Sequence, residues 1–253
     1  MPESLPLIIP DWPAPAQVYA AVSTRAGGVS LPPYDTLNLG THVGDEPAAV
    51  VQNRARLRRA LQGMAPAAEP QWLNQVHGVA VIEAADSPEV RAHWAPDADA
   101  VTTTLSGIPC VVMTADCLPV LFCDRAGTRV AAAHAGWRGL CNGVLEATLA
   151  SFADAAEVIC WLGPAIGPSA FEVGAEVRAA FMAQDAAAAS AFVPGAPGKF
   201  MADIYALARQ RLLAAGVAGV YGGDFCTVTD TERFFSFRRE GKTGRMGSVV
   251  WLG

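Results

Sequence analysis

The chain is 253 residues long, 52% hydrophobic and 17% charged, a mix that buries a sizeable core and excludes intrinsic disorder. The 18 basic residues against 24 acidic ones leave a net charge of −6, without the basic stripe a nucleic-acid backbone demands, so no nucleic-acid partner is expected. Residues 1–15 have no basic n-region and are broken by prolines, and no apolar run approaches the roughly 18 residues of a membrane span, so neither a secretory signal nor a membrane segment is expected.

In chain order, residues 17–23 predict a strand that ends in the loop Thr24-Arg25-Ala26-Gly27-Gly28. Asp45 is expected to cap a helix with Pro47 in its first turn, running to about Leu61. Val50, Leu57 and Leu61 share its apolar face, while Arg54, Arg56, Arg58 and Arg59 stay solvated. Six short β-prone runs follow at 72–76, 79–84, 98–103, 110–114, 118–123 and 129–134, divided by Gly, Pro or Asp. No charged residue stands between Asp99 and Asp116, which predicts strands covered on both faces. Residues 139–152 predict a helix and 158–162 a buried strand. Two further helices are expected at 175–184 and 201–215, the second closed by Gly216, with the alanine-rich 186–191 as a helix end. Short strands near 219–221, 234–237 and 248–252 complete the pattern. No linker, repeat or charge block divides the sequence, so a single α+β domain over 1–253 is expected, with a mixed or antiparallel central sheet flanked by helices.

Six cysteines are far fewer than the roughly 8–10% of a disulfide scaffold, and Cys110, Cys117, Cys123 and Cys160 lie in or beside apolar runs, which points to free thiols and a reducing cytoplasm. Of the four histidines, His42, His77, His93 and His134, two stand at strand-to-turn junctions. His77 ends Asn74-Gln75-Val76-His77-Gly78, and His134 opens His134-Ala135-Gly136-Trp137-Arg138-Gly139. Between them Asp116 and Cys117 interrupt an apolar run. Two imidazoles and a thiolate suit Zn²⁺, and three protein ligands leave a fourth position for water or substrate; copper uses the same donors. The same residues also support a second chemistry, in which Cys117 is a nucleophile, His77 or His134 its base, and Asp116 or another carboxylate orients the ring. The plain alternative is a hydrogen-bonded histidine at a strand end and a thiol that only packs. Two glycine-bearing segments offer places for an anion: a backbone nest at 24–28 with Arg25 above it, and the helix opening at 136–139 beside Arg138. The stretch 233–246 mixes aromatics with basic residues and reads either as a stacking and phosphate surface or as an edge strand with solvated charges.

Taken in order, Ser23-Thr24-Arg25-Ala26-Gly27-Gly28-Val29-Ser30, Asn38-Leu39-Gly40, Asn74-Gln75-Val76-His77-Gly78, Asp97-Ala98-Asp99-Ala100, Ala115-Asp116-Cys117-Leu118-Pro119-Val120, His134-Ala135-Gly136-Trp137-Arg138-Gly139 and the segment 233–246 resemble the YfiH-type laccase-domain family over about 19–252. That family also carries the name multicopper polyphenol oxidase and is associated with purine nucleoside phosphorylase activity. The resemblance implies a single-domain layered α+β sandwich of cysteine-hydrolase type. It implies a zinc ion, with copper as the alternative, on His77, Cys117 and His134. It further implies phosphorolysis of adenosine, inosine and methylthioadenosine together with adenosine deamination, so that purine nucleosides and phosphate are the expected partners. Cys117, His77, His134 and Asp116 are then the expected catalytic residues, with Arg25, Asn38, Gln75, Arg138 and Arg238 as substrate or phosphate contacts. A cysteine-dependent amidase acting on cell-wall precursors and a copper-dependent phenol oxidase are the competing activities; four histidines cannot furnish a multicopper cluster. Relatives often carry cysteines after the 163–168 segment, where this chain has Ser169-Ala170-Phe171.

Overall fold

In the computed structural model, which describes residues 5–253, three β-sheets form the frame. The largest has six strands in the order Gly219–Gly222, Val158–Leu162, Leu118–Asp124, Val130–Ala135, Ala100–Thr103 and Val81–Glu83, antiparallel at its centre and parallel at both outer pairs. A four-stranded antiparallel sheet orders Leu7–Ile8, Val18–Ser23, Met246–Leu252 and Cys110–Thr114. A small antiparallel sheet joins Phe192–Pro194, Lys199–Ala202 and Glu172–Gly174. The expected α+β class, with mixed and antiparallel sheets flanked by helices, is what the chain adopts.

Side-chain alternation explains how these sheets stack. Leu118, Val120 and Phe122 face the helices Trp137–Asn142, Val144–Leu149 and Ile204–Ala214, whereas Leu121 and Cys123, one residue out of step, face Val18, Val22, Val112 and Val250 of the four-stranded sheet. The far side of that second sheet, Ala21, Val111, Met113, Val249 and Trp251, is covered by Leu57 and Leu61 of the helix Pro47–Gln62. Both sheets are therefore buried on both faces, which is why residues 100–115, between Asp99 and Asp116, carry no charge. Phe122→Ala empties a fully buried position and is expected to cost about 3–5 kcal/mol, read as a lower denaturant midpoint at unchanged m-value.

Several elements differ from the sequence reading. Residues 72–76 form no strand; only isolated bridges at Gln71 and Asn74 remain, and the Gln75 amide takes the place of a strand partner, donating to the Met113 carbonyl at 2.8 Å and accepting its N–H at 2.7 Å. The 139–152 helix is cut at Gly143, whose φ of 102° leaves the helical region. Met201 lies in a strand, and the following helix starts at Ile204 because Asp203 accepts the Ala206 N–H. The 234–237 stretch is not a strand: Phe234 and Phe235 are buried, and Ser236 caps the short helix Phe237–Glu240. Residues 186–191 form a 3-10 turn capped by Asp185. Glu46 precedes the first long helix in place of Asp45, whose carboxylate takes Ser30 Oγ and Asn38 Nδ2. Arg54 is not solvated, since its guanidinium lies 3.8 Å over the Trp72 ring and burial lowers its pKa to about 10. No helix among the described residues is long and apolar enough to cross a membrane.

Candidate metal centre

The chain crosses from one large sheet to the other at residues 115–117, between the strands Cys110–Thr114 and Leu118–Asp124. Cys117 is set at this crossing. His134 is nearby by register, because it pairs with Pro119 near the end of Val130–Ala135. His77 arrives on the turn that Gln75 fastens to Met113. Among the described residues these three form the one group of donors able to hold a metal, all within 4.8 Å of one another. Cys117 Sγ lies 3.8 Å from His77 Nε2, and the two imidazole rings meet edge to face with centroids 4.7 Å apart. A tetrahedral zinc places such nitrogen and sulfur donors roughly 3.6 Å apart, so the donor set fits one ion with little movement. Gly136 keeps the space clear, since a Cβ there would meet His77 Cδ2 at 2.8 Å and Cys117 Sγ at 3.1 Å.

Asp99, fully buried, organises two of the three ligands. Its Oδ1 accepts from His134 Nδ1 at 2.8 Å and from the His77 N–H at 3.0 Å, and its Oδ2 accepts from Gly78 N–H at 2.6 Å. The first bond directs His134 Nε2 toward Cys117; the others hold the turn that carries His77. Burial opposes the Asp99 charge, but the bonds from His134 and Gly78 outweigh it and lower the carboxyl pKa. Two non-glycine residues have positive φ among those described, His77 at 61° and Asp116 at 95°, and they flank the site. Such strain, of order 1–3 kcal/mol each, persists where surrounding contacts over-determine it.

A pocket of about 260 Å³ opens over the trio, lined also by His42, Gln75, Met113, Thr114, Ala115, Phe237 and Arg245. Residues 19–253 match a family described as multi-copper polyphenol oxidoreductase laccase. The chain belongs to this family. It is 60% identical to a purine nucleoside phosphorylase of Pseudomonas aeruginosa over 97% of this chain and 98% of that one. It is 58% identical, at the same coverage, to the purine nucleoside phosphorylase YfiH of Escherichia coli. Among solved structures, a Neisseria meningitidis protein is similar at a TM-score of 0.90 and 51% identity, covering 97% of this chain and 98% of that one. YlmD from Geobacillus stearothermophilus matches at 0.83 and 30%, covering 98% and 99%. The resemblance read from the ordered motifs is thereby borne out.

In this laccase-family chain the other expected contacts are distributed unevenly. Gln75 lines the pocket, though its amide is committed to Met113. Asp116 does not line it: Oδ1 accepts from Thr227 Oγ1 and Oδ2 from the Arg238 N–H, both at 2.6 Å, so the carboxylate ties the sheet crossing to the 227–238 segment. The carboxylate that orients an imidazole is Asp99. Arg25 is held by Glu240 at 2.9 Å and by the Asp35 carbonyl, and stacks on Phe235. Its loop is no anion nest, because the N–H groups of Ala26, Gly28 and Val29 are taken by Thr24, Thr36 and Asn53. Arg238 donates to the Glu172 carbonyl, Arg138 is exposed against Trp137, and Asn38 is fully buried and bonded at both ends of its amide. Phe237 and Arg245, from the 233–246 stretch read as a stacking and phosphate surface or an edge strand, do line the pocket, as does His42, to which the sequence reading gave no role.

Without metal the trio forms an ion pair. Burial raises the Cys117 pKa, but His134, with hydrogen bonds from both rings, outweighs it and brings the thiol down to about 6. Burial likewise opposes a charge on His134, and the Cys117 thiolate and Asp99 outweigh it, raising that imidazole to about 9. The depressed thiol contributes stability present above its unfolded pKa and lost as pH falls through about 6; the raised imidazole contributes stability present below 6.5 and lost as pH rises through about 9. In chelator-stripped protein, Cys117 alkylation is expected to stay fast down to about pH 6. Mass spectrometry of the labelled site checks this; a midpoint near that of an ordinary thiol removes the ion pair.

Proposed function

We propose that this chain is a zinc-dependent purine nucleoside phosphorylase, which splits adenosine, inosine and methylthioadenosine with phosphate and also deaminates adenosine, acting in the cytoplasm as a single domain. The observation that carries this reading is the convergence of His77, Cys117 and His134 at the floor of a pocket with an aromatic wall. The names of the Pseudomonas aeruginosa and Escherichia coli relatives support the activity, and six free cysteines agree with a reducing compartment. His77, Cys117 and His134 would hold the ion, which when bound supplies a Lewis acid beside the substrate. The remaining work falls to the chain's own groups. Phe237, 56% exposed at the pocket wall, offers a purine base a face to stack on. The Asp99 carboxylate keeps the His134 proton on Nδ1 and so leaves Nε2 as a donor atom.

A second reading has a specific observation in its favour. Asp99, His134 and Cys117 form a carboxylate–imidazole–thiol series, the arrangement of a cysteine amidase. One assay separates the two. Inosine, adenosine and a cell-wall peptide amide are supplied with and without phosphate, before and after chelation, while free base, ribose 1-phosphate, ammonia and the hydrolysed peptide are followed. Phosphate-dependent, chelator-sensitive release of base supports the phosphorylase. Amide hydrolysis that survives chelation, with nucleosides left intact, overturns it. Three or four coppers per chain and phenol oxidation would overturn both.

A further inference from the structure

The pocket has a cationic wall that the three metal-binding side chains do not account for. Arg245 is its one permanently charged lining residue, and no carboxylate lines it. Arg245 donates from Nη1 to the carbonyls of Thr243 and Gly244, each at 3.0 Å, which leaves Nε and Nη2 without hydrogen-bond partners among the described residues. No described carboxylate lies within ion-pair distance of it. The Phe237 ring stands 5.9 Å from its guanidinium carbon, so a cation and an aromatic face share this wall. The neighbouring arginines are engaged elsewhere. Arg25 and Arg239 both pair with Glu240, and Arg54 bonds the Leu39 carbonyl while stacked on Trp72.

The position of Arg245 is built by a motif whose purpose the sequence alone leaves open. Asn38 Oδ1 accepts the Arg245 N–H at 3.0 Å, and the Leu39 N–H donates to the Arg245 carbonyl at 3.2 Å. The side-chain stem lies against Gly40, where a Cβ would come within 2.9 Å of Arg245 Cγ. Asn38, expected to touch substrate, instead fixes the residue that reaches the pocket.

We propose that Arg245 is the phosphate anchor of this pocket, presenting its unpledged guanidinium N–H groups to phosphate oxygens, with Asn38 and Gly40 as its positioning residues. A guanidinium presents paired donors in a plane that matches two oxygens of a phosphate, and with no carboxylate lining the pocket or within ion-pair distance those donors stay open to an entering anion. The choice of phosphate as the anion rests on the phosphorylase reading.

Inorganic phosphate is titrated by calorimetry into the metal-loaded protein and into Arg245→Gln, Arg245→Lys, Gly40→Ala and Arg138→Gln, with metal content and melting temperature measured for each. Arg245→Gln is expected to weaken phosphate by at least about tenfold at unchanged metal content, and Arg245→Lys to recover part of the loss as a point charge. Gly40→Ala is expected to weaken phosphate by displacing the stem; should it fail to fold, the Arg245 pair still decides. Absent phosphate binding by the wild type, unchanged binding by Arg245→Gln, or a loss confined to Arg138→Gln overturns the assignment. Phosphate-dependent inosine cleavage whose KM for phosphate is the same in Arg245→Gln overturns it alone. Phosphate binding that is lost in Arg245→Gln, by a protein that leaves inosine intact, overturns the phosphorylase reading alone.

Discussion

Cys117→Ala is expected to lose its metal and its turnover together while remaining folded. The sulfur is one of three donors, and the two imidazoles left behind are a poor site for a divalent ion at micromolar concentration. Losing a residue that only supports a ligand already costs about 10–100-fold in affinity or activity, so removing a ligand itself should exceed that range. The fold has little reason to follow. Cys117 sits at a sheet crossing whose course is held by Asp116 bonds to Thr227 and Arg238, and by the Ile166 N–H donating to the Asp116 carbonyl at 2.9 Å. Loss of the thiolate beside His134 in the metal-free state should cost on the order of 1–3 kcal/mol. The measurements are metal content by elemental analysis, circular dichroism, and release of base from inosine. Wild-type turnover in a folded, metal-free variant would refute the site.

Much of this site could be read from residue type and place. His77 and His134 stand where β-prone runs end and Cys117 interrupts an apolar run, and polar residues at strand-to-turn junctions are common ground for sites. What the sequence hid was partnership. Asp99 opens an apolar strand and looks like any turn aspartate; only the register that sets Ala100 opposite Ala133 brings it to His134. Arg245 lies among several arginines of similar appearance, and it differs from Arg25 and Arg239 in having no described carboxylate within ion-pair distance. Asp116 attracted attention by standing next to Cys117, yet it sits at the sheet crossing with a left-handed φ of 95°, and its carboxylate turns away into the 227–238 segment. The fold was legible where strands carried continuous apolar runs and lost where local signals misled. Gln75 imitates a strand with its side chain, Gly143 breaks a helix whose apolar spacing runs on, and Phe234 and Phe235 are buried without being a strand.

Asp99→Asn tests how far the site depends on a group that never touches the ion. The change keeps size and shape but turns one acceptor oxygen into a donor NH₂. Asp99 receives N–H groups on both sides: His134 Nδ1 and the His77 N–H at Oδ1, and Gly78 with a longer contact from Val76 at Oδ2. If the asparagine oxygen keeps the first side, its NH₂ confronts the Gly78 donor and the turn bearing His77 loosens. If the amide flips, its NH₂ confronts His134 Nδ1, and that ring must move its proton to Nε2, the nitrogen that faces Cys117. Either orientation damages one ligand. Each donor left buried and unpaired costs about 1–3 kcal/mol, and metal affinity should fall about 10–100-fold. Because the folded carboxyl is held below its ordinary pKa, its contribution is present above the unfolded value and fades as pH falls through the folded one. The stability gap between wild type and Asp99→Asn should therefore narrow in acid. A competitive chelator titration and a pH series of denaturant midpoints measure the two effects. Equal metal affinity in both proteins, with a gap that stays constant into acid, would show that Asp99 organises neither imidazole.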